Sequence, residues 1–179
     1  MHRALSCLVL LLVVTASGCS GDAEPAADPS PSVVLLLRDS DGVRGLARAY
    51  AGDHPDAQDL AEGKCFAERL QADESLDLRA AGIVDATNAV VDPLPVFDEA
   101  TAEAWIDAEL ACVDYADASA RAILVQSKGA VDAESFTACL RAGLSDEQVR
   151  AALVDTLTGD FASDAVSLLS STQADCAAG

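Results

Sequence analysis

Four cysteines spread through the last two thirds of the chain, Cys65, Cys112, Cys139 and Cys176, limit its possible folds more than any other feature. Paired as disulfides they would close loops of tens of residues, each stabilising the fold by roughly 3 to 4 kcal/mol. A structural zinc site built from the same thiolates is disfavoured, because such sites draw their cysteines from close pairs such as C-x2-C. No metal is therefore expected. Four cysteines allow three pairings, and spacing alone does not choose among them. Disulfides persist in oxidising compartments, which turns attention to how the chain would reach one.

Residues 1–21, MHRALSCLVLLLVVTASGCSG, answer that question. Arg3 gives a positive start, Leu5 to Thr15 form an apolar core, and Ala16-Ser17-Gly18 place small residues before Cys19. The core is about half the roughly 20 residues that a membrane-spanning helix needs. The stretch resembles the lipobox of bacterial lipoproteins, with Ala16 where that family usually has a branched aliphatic residue. The resemblance implies a signal peptide over residues 1–18 and lipid on Cys19, the new first residue. Cysteine parity agrees with it. Cys7 would leave with the signal and Cys19 would be capped as a thioether, so an even number of thiols remains for pairing.

Charge narrows the partners. The chain carries 30 Asp and Glu against 11 Lys and Arg, a net charge of −19, and cleavage would remove Arg3 without removing an acid. Such a surface repels phosphate backbones and anionic headgroups, so no nucleic acid partner is expected and the folded part should stand off the bilayer. Residues 19–32 supply the spacing. After Cys19 they read SGDAEPAADPSPS, and Pro25, Pro29 and Pro31 favour an extended tether reaching on the order of 40 Å. The folded domain is expected over residues 33–179.

From Val33 onward the punctuation is that of short helices. Ser145 with Gln148 forms a capping box flanked by Leu144 and Val149, and Asp132 is a cap between Val131 and Phe136. Gly129, Gly143 and Gly159 stand where a left-handed residue would end a helix. These signals predict helices near 132–142, 145–157 and 160–172. A longer helix is predicted from Asp98, with Ile106, Leu110, Val113, Ala120 and Ile123 or Leu124 along one face and Trp105 beside them. Another runs from Asp56 to Leu70 behind Pro55. Val33 to Leu37 reads equally as a short strand or the start of a buried helix. The fold class is all-α.

An internal echo arranges these helices. Leu78-Arg79-Ala80-Ala81-Gly82-Ile83-Val84-Asp85 parallels Val149-Arg150-Ala151-Ala152-Leu153-Val154-Asp155 with one extra residue. Each follows a cysteine-bearing helix, at Cys65 or Cys139, and precedes the next cysteine, Cys112 or Cys176. Two repeated helix-pair units around a shared core are the physical reading. Repeat symmetry then favours Cys65 with Cys112 and Cys139 with Cys176.

The usual catalytic constellations are missing from the sequence. After signal cleavage His54 is the remaining histidine, in a polar stretch beside Pro55. There is no G-x-S-x-G elbow, no H-E-x-x-H and no glycine-rich phosphate loop. Paired carboxylates could still serve a cell-wall hydrolase, but 30 acids do not locate a pair. Asp39-Ser40-Asp41-Gly42 opens like a calcium loop, yet Val43 and Tyr50 stand at ligand positions five and twelve, so a turn is expected. Asp73, Glu74 and Asp77 read as a solvated helix start. No catalytic residue and no cofactor is assigned.

In its lipobox and its recurring order of cysteine, helix and Arg-Ala, the chain resembles small actinobacterial lipoproteins with cysteine-bearing helical repeats. That resemblance supplies no catalytic residue. The expectation is a non-catalytic binding or interaction module, held by lipid on Cys19 at the extracytoplasmic face of the cell membrane, with an envelope protein or a small ligand as partner. The alternative is a carrier of a small ligand or cation, with a pocket between helices around Trp105 and Phe136.

Overall fold

An Asp or Ser turns its side chain back onto the first turn of six helices. The structure, a computed structural model, describes residues 41–52 and 55–179, so the signal, Cys19, the tether, Val33 to Leu37 and His54 lie outside the described residues. Seven helices are described: α1 Asp41–Ala51, α2 Ala57–Ala72, α3 Glu99–Leu110, α4 Tyr115–Gln126, α5 Ala133–Gly143, α6 Asp146–Leu157 and α7 Asp164–Ala178. The caps of α2 to α7 are Asp56, Asp98, Asp114, Asp132, Ser145 and Ser163. Each accepts a backbone N–H that has no carbonyl partner within its helix. At Ser145 the box closes in both directions, with Gln148 N–H donating to the Ser145 hydroxyl at 3.2 Å and Ser145 N–H to Gln148 Oε1 at 2.8 Å. Asp56 and Asp59 form a second box.

The predicted helices are present, with three differences. The helix from Asp98 does not run through to Ile123 but breaks between Leu110 and Tyr115. The apolar spacing continues across the break, yet Asp114 accepts the N–H of Asp117 at 3.0 Å and restarts the helix there. The last helix starts at Asp164 rather than 160 and continues to Ala178, because Ser163 caps it while residues 160–163 form a turn. Gly129 and Gly159 adopt φ of 82° and 81°, as helix stops require. Gly143 does not. It is the last residue of α5, and a Cβ there would lie 2.8 Å from Thr172 Cγ2, so its smallness lets α7 approach.

The echo of sequence is not an echo of structure. Val149 to Asp155 lies within α6, whereas Leu78 to Asp85 is a series of turns. Two features separate them. Gly82 takes φ of 72°, which a helix cannot contain, and Asp77 draws the N–H groups of Arg79 and Ala80 onto its side chain. Cys112 also lies two residues beyond α3, not within it. Gly42, expected in a turn, belongs to the first turn of α1.

The disulfides nevertheless pair as the echo suggested. Cys65 joins Cys112 with Cα atoms 5.8 Å apart, tying α2 to the end of α3. Cys139 joins Cys176 at 5.6 Å, tying α5 to the end of α7. Around them α1 packs on α2, α2 on α3, α3 on α6, α4 on α5, and both α5 and α6 on α7. Gly63 permits the first of these contacts, since a Cβ would stand 2.5 Å from the Ala47 carbonyl oxygen. One apolar core runs through the assembly, with Leu46, Phe66, Leu70, Ile83, Ile106, Leu140 and Leu153 withdrawn from water. Each such side chain stabilises the fold by roughly 1.5 to 3 kcal/mol before entropy is counted. No helix of the described residues is long and apolar enough to cross a membrane.

Candidate functional site

Among the described residues, Glu109 is the one buried carboxyl, with 8 % of its surface exposed. It lies one turn after Trp105 on the same face of α3, so the two side chains are neighbours. The last turn of α1 brings in Tyr50, whose hydroxyl stands 3.5 Å from Glu109 Oε1. Phe66, midway along α2, is completely buried between them. Its ring stacks on Tyr50 at 4.7 Å and meets Trp105 edge-on at 4.8 Å. Phe97, just before α3, closes the row against Trp105 at 5.4 Å.

Burial pushes the Glu109 carboxyl up to about 7, and hydrogen bonds from the Tyr50 hydroxyl and the Trp105 indole only partly offset it. No Lys or Arg of the described residues pairs with it. Neutral donors thus face a group poised between acid and carboxylate at neutral pH. When protonated it can donate a hydrogen bond; when ionised it can attract a cation, which aromatic faces also favour.

The sequence-derived candidates fall into three groups. Cys65, Cys112, Cys139 and Cys176 are all oxidised, which withdraws them from thiolate chemistry. Trp105 packs among rings, as a core residue does, while Phe136 is buried on α5 and makes none of Trp105's ring contacts. The acids at Asp73 and Asp77 hold turns: Asp73 accepts from Ser75 N–H at 2.9 Å and Asp77 from Arg79 N–H at 3.0 Å. No group of three or more His, Cys, Asp or Glu among the described residues could hold a metal ion. Glu109 escaped the sequence reading, although an acid inside the stripe of Ile106, Leu110 and Val113 was a visible signal. Comparison with protein-family models, curated proteins and solved structures gives no significant match.

Proposed function

We propose that the chain is a lipid-anchored binding or interaction module at the extracytoplasmic face of the cell membrane and that it performs no catalysis. The pairing of Cys65 with Cys112 and Cys139 with Cys176 carries this reading. It uses every cysteine outside the first 21 residues, so after the signal and its Cys7 depart, Cys19 is the one thiol left for a lipid. Two crosslinks also suit an oxidising compartment. Intact mass of the native protein tests the proposal. A diacylglyceryl or triacyl increment on Cys19 is expected, together with a gain of four hydrogens on reduction. An unacylated chain with free thiols would overturn it.

A second reading, a carrier for a small organic cation, is favoured by Glu109 among Tyr50, Phe66 and Trp105. Titration with tetramethylammonium should then shift Trp105 fluorescence in the native protein and not in Glu109→Gln. An unchanged spectrum in both would remove this reading.

A further inference from the structure

The segment before α3 and the turn after α6 form one surface. Phe97, itself buried, donates its N–H to the Leu157 carbonyl at 3.0 Å. Val96 lies over Gly159, at 3.4 Å from where a Cβ would stand, and φ of 81° there disfavours any larger residue. These two contacts place Val96 beside the turn that carries Phe161, and Leu94 precedes Val96 by two residues in the same segment. All three are exposed: Val96 by 71 %, Phe161 by 47 % and Leu94 by 38 %. Pro93 and Pro95 restrict the backbone on either side of Leu94, so the apolar groups are presented with little conformational freedom left to lose on binding.

The charged residues that border these two segments in sequence are of one sign. Asp92, Asp98, Asp160 and Asp164 flank the apolar residues and are all exposed, while residues 92–99 and 156–168 contain no Lys or Arg. Arg79, in the turn adjoining Pro95, is directed to Asn88 Oδ1. This charge decides among occupants. A second copy of the chain would set the same acids against themselves, and an anionic lipid surface would be repelled. A segment with apolar residues between lysines or arginines meets both the apolar centre and the bordering acids.

We infer that the surface formed by Leu94, Val96 and Phe161 with their bordering aspartates is a docking site for a basic, apolar peptide segment of a partner protein. The inference rests on reading the chain as an interaction module and names that module's site and partner chemistry. The probe is a short labelled peptide alternating Leu or Phe with Lys, and a counterpart with Glu for each Lys. Both are titrated by fluorescence anisotropy against the full mature chain in neutral detergent.

The Lys peptide is expected to bind more weakly as salt is raised, and the Glu peptide not to bind. Val96→Asp with Phe161→Asp should weaken binding by about ten-fold or more. Leu124→Asp, on the exposed part of α4, should leave it unchanged. Asp160→Asn with Asp164→Asn provides a second variant that keeps the apolar centre, and it should lower affinity and flatten the salt dependence. Equal binding of the two peptides, equal loss in Leu124→Asp, a dimer broken by the Val96 and Phe161 changes, or uptake onto anionic vesicles by the same surface would each overturn the inference. Absence of peptide binding by a chain shown by mass to be acylated and disulfide-bonded overturns the docking site alone. A chain without acyl group or disulfides overturns the function on which it rests.

Discussion

Glu109 of α3 meets Tyr50 of α1 through a single buried carboxyl, so its protonation should be visible in the stability of the domain. Its folded value of about 7 lies above the ordinary 4.5. Between those values the folded state holds a proton that the unfolded chain releases. Its contribution is therefore fully present below about pH 4.5 and is lost as pH rises to about 7, a change of order 3 kcal/mol. Glu109→Gln keeps the shape and cannot ionise. Urea unfolding should show the variant roughly 2 to 3 kcal/mol more stable than the native protein at pH 8 and little different at pH 4.5. Parallel profiles would show that the carboxyl is hydrated in solution. The sequence made part of this site legible, since Trp105 and Glu109 share a helical face within an apolar stripe. Tyr50 and Phe66 were not, because only the packing of α1 on α2 and of α2 on α3 brings their rings to that face.

At the scale of the element, side-chain caps set where the helices begin, and the mispredicted boundaries show how. Asp160 and Ser163 both precede the final helix, and either could serve as a cap by residue type. Ser163 prevails, accepting Val166 N–H at 3.1 Å, because Asp160 belongs to the turn that closes α6 through its N–H to the Asp155 carbonyl. Ser163→Ala should cost about 1 kcal/mol and Asp160→Ala well under about 0.5 kcal/mol, as thermal or urea denaturation will read. The reverse order would restore the earlier boundary. At Asp114 the missed signal was an acid in register with a continuing stripe, and periodicity alone cannot tell one bent helix from two. Its carboxyl is held below the ordinary range first by the N–H of Asp117 and then by Arg141. Stability from this cap is thus present above the ordinary 3.8 and lost as pH falls through the lower folded value. Asp114→Asn retains a capping oxygen and should flatten that acid limb in a denaturation series, whereas Asp114→Ala should also lower neutral-pH stability by about 1 kcal/mol. The starts at Asp56, Asp98, Asp132 and Ser145 were readable because each stands at a change from turn residues to periodic ones.

For the whole molecule, each staple lies within one half of the chain, and packing and charge join the halves. Cys65–Cys112 closes a loop that runs from within α2 through α3, and Cys139–Cys176 one that runs from within α5 through α6 into α7. Between the halves α3 packs on α6, Arg150 grips Asp107 at 2.6 and 2.9 Å, and Arg121 meets Glu62 at 2.7 Å. These ion pairs are partly exposed, so each is worth only about 0 to 1 kcal/mol and weakens with salt. The crosslinks matter more. Sequence separations of 47 and 37 residues correspond to about 4 kcal/mol each in the chain-entropy account. The loops do not overlap, so neither crosslink restricts the unfolded segment closed by the other. Replacing Cys65 and Cys112 by Ala, or Cys139 and Cys176 by Ala, should therefore cost similar amounts, and the losses should add in the fourfold variant. A total near 8 kcal/mol falls within the 5 to 15 kcal/mol typical of a domain, roughly enough to unfold one at the lower end of that range. Urea denaturation of the two double variants at neutral pH checks this, with the fourfold variant followed by circular dichroism. A loss confined to one pair would mean that the other half is already held by its core, with Leu140, Leu153 and Leu169 maintaining the second half or Phe66, Ile83 and Ile106 the first.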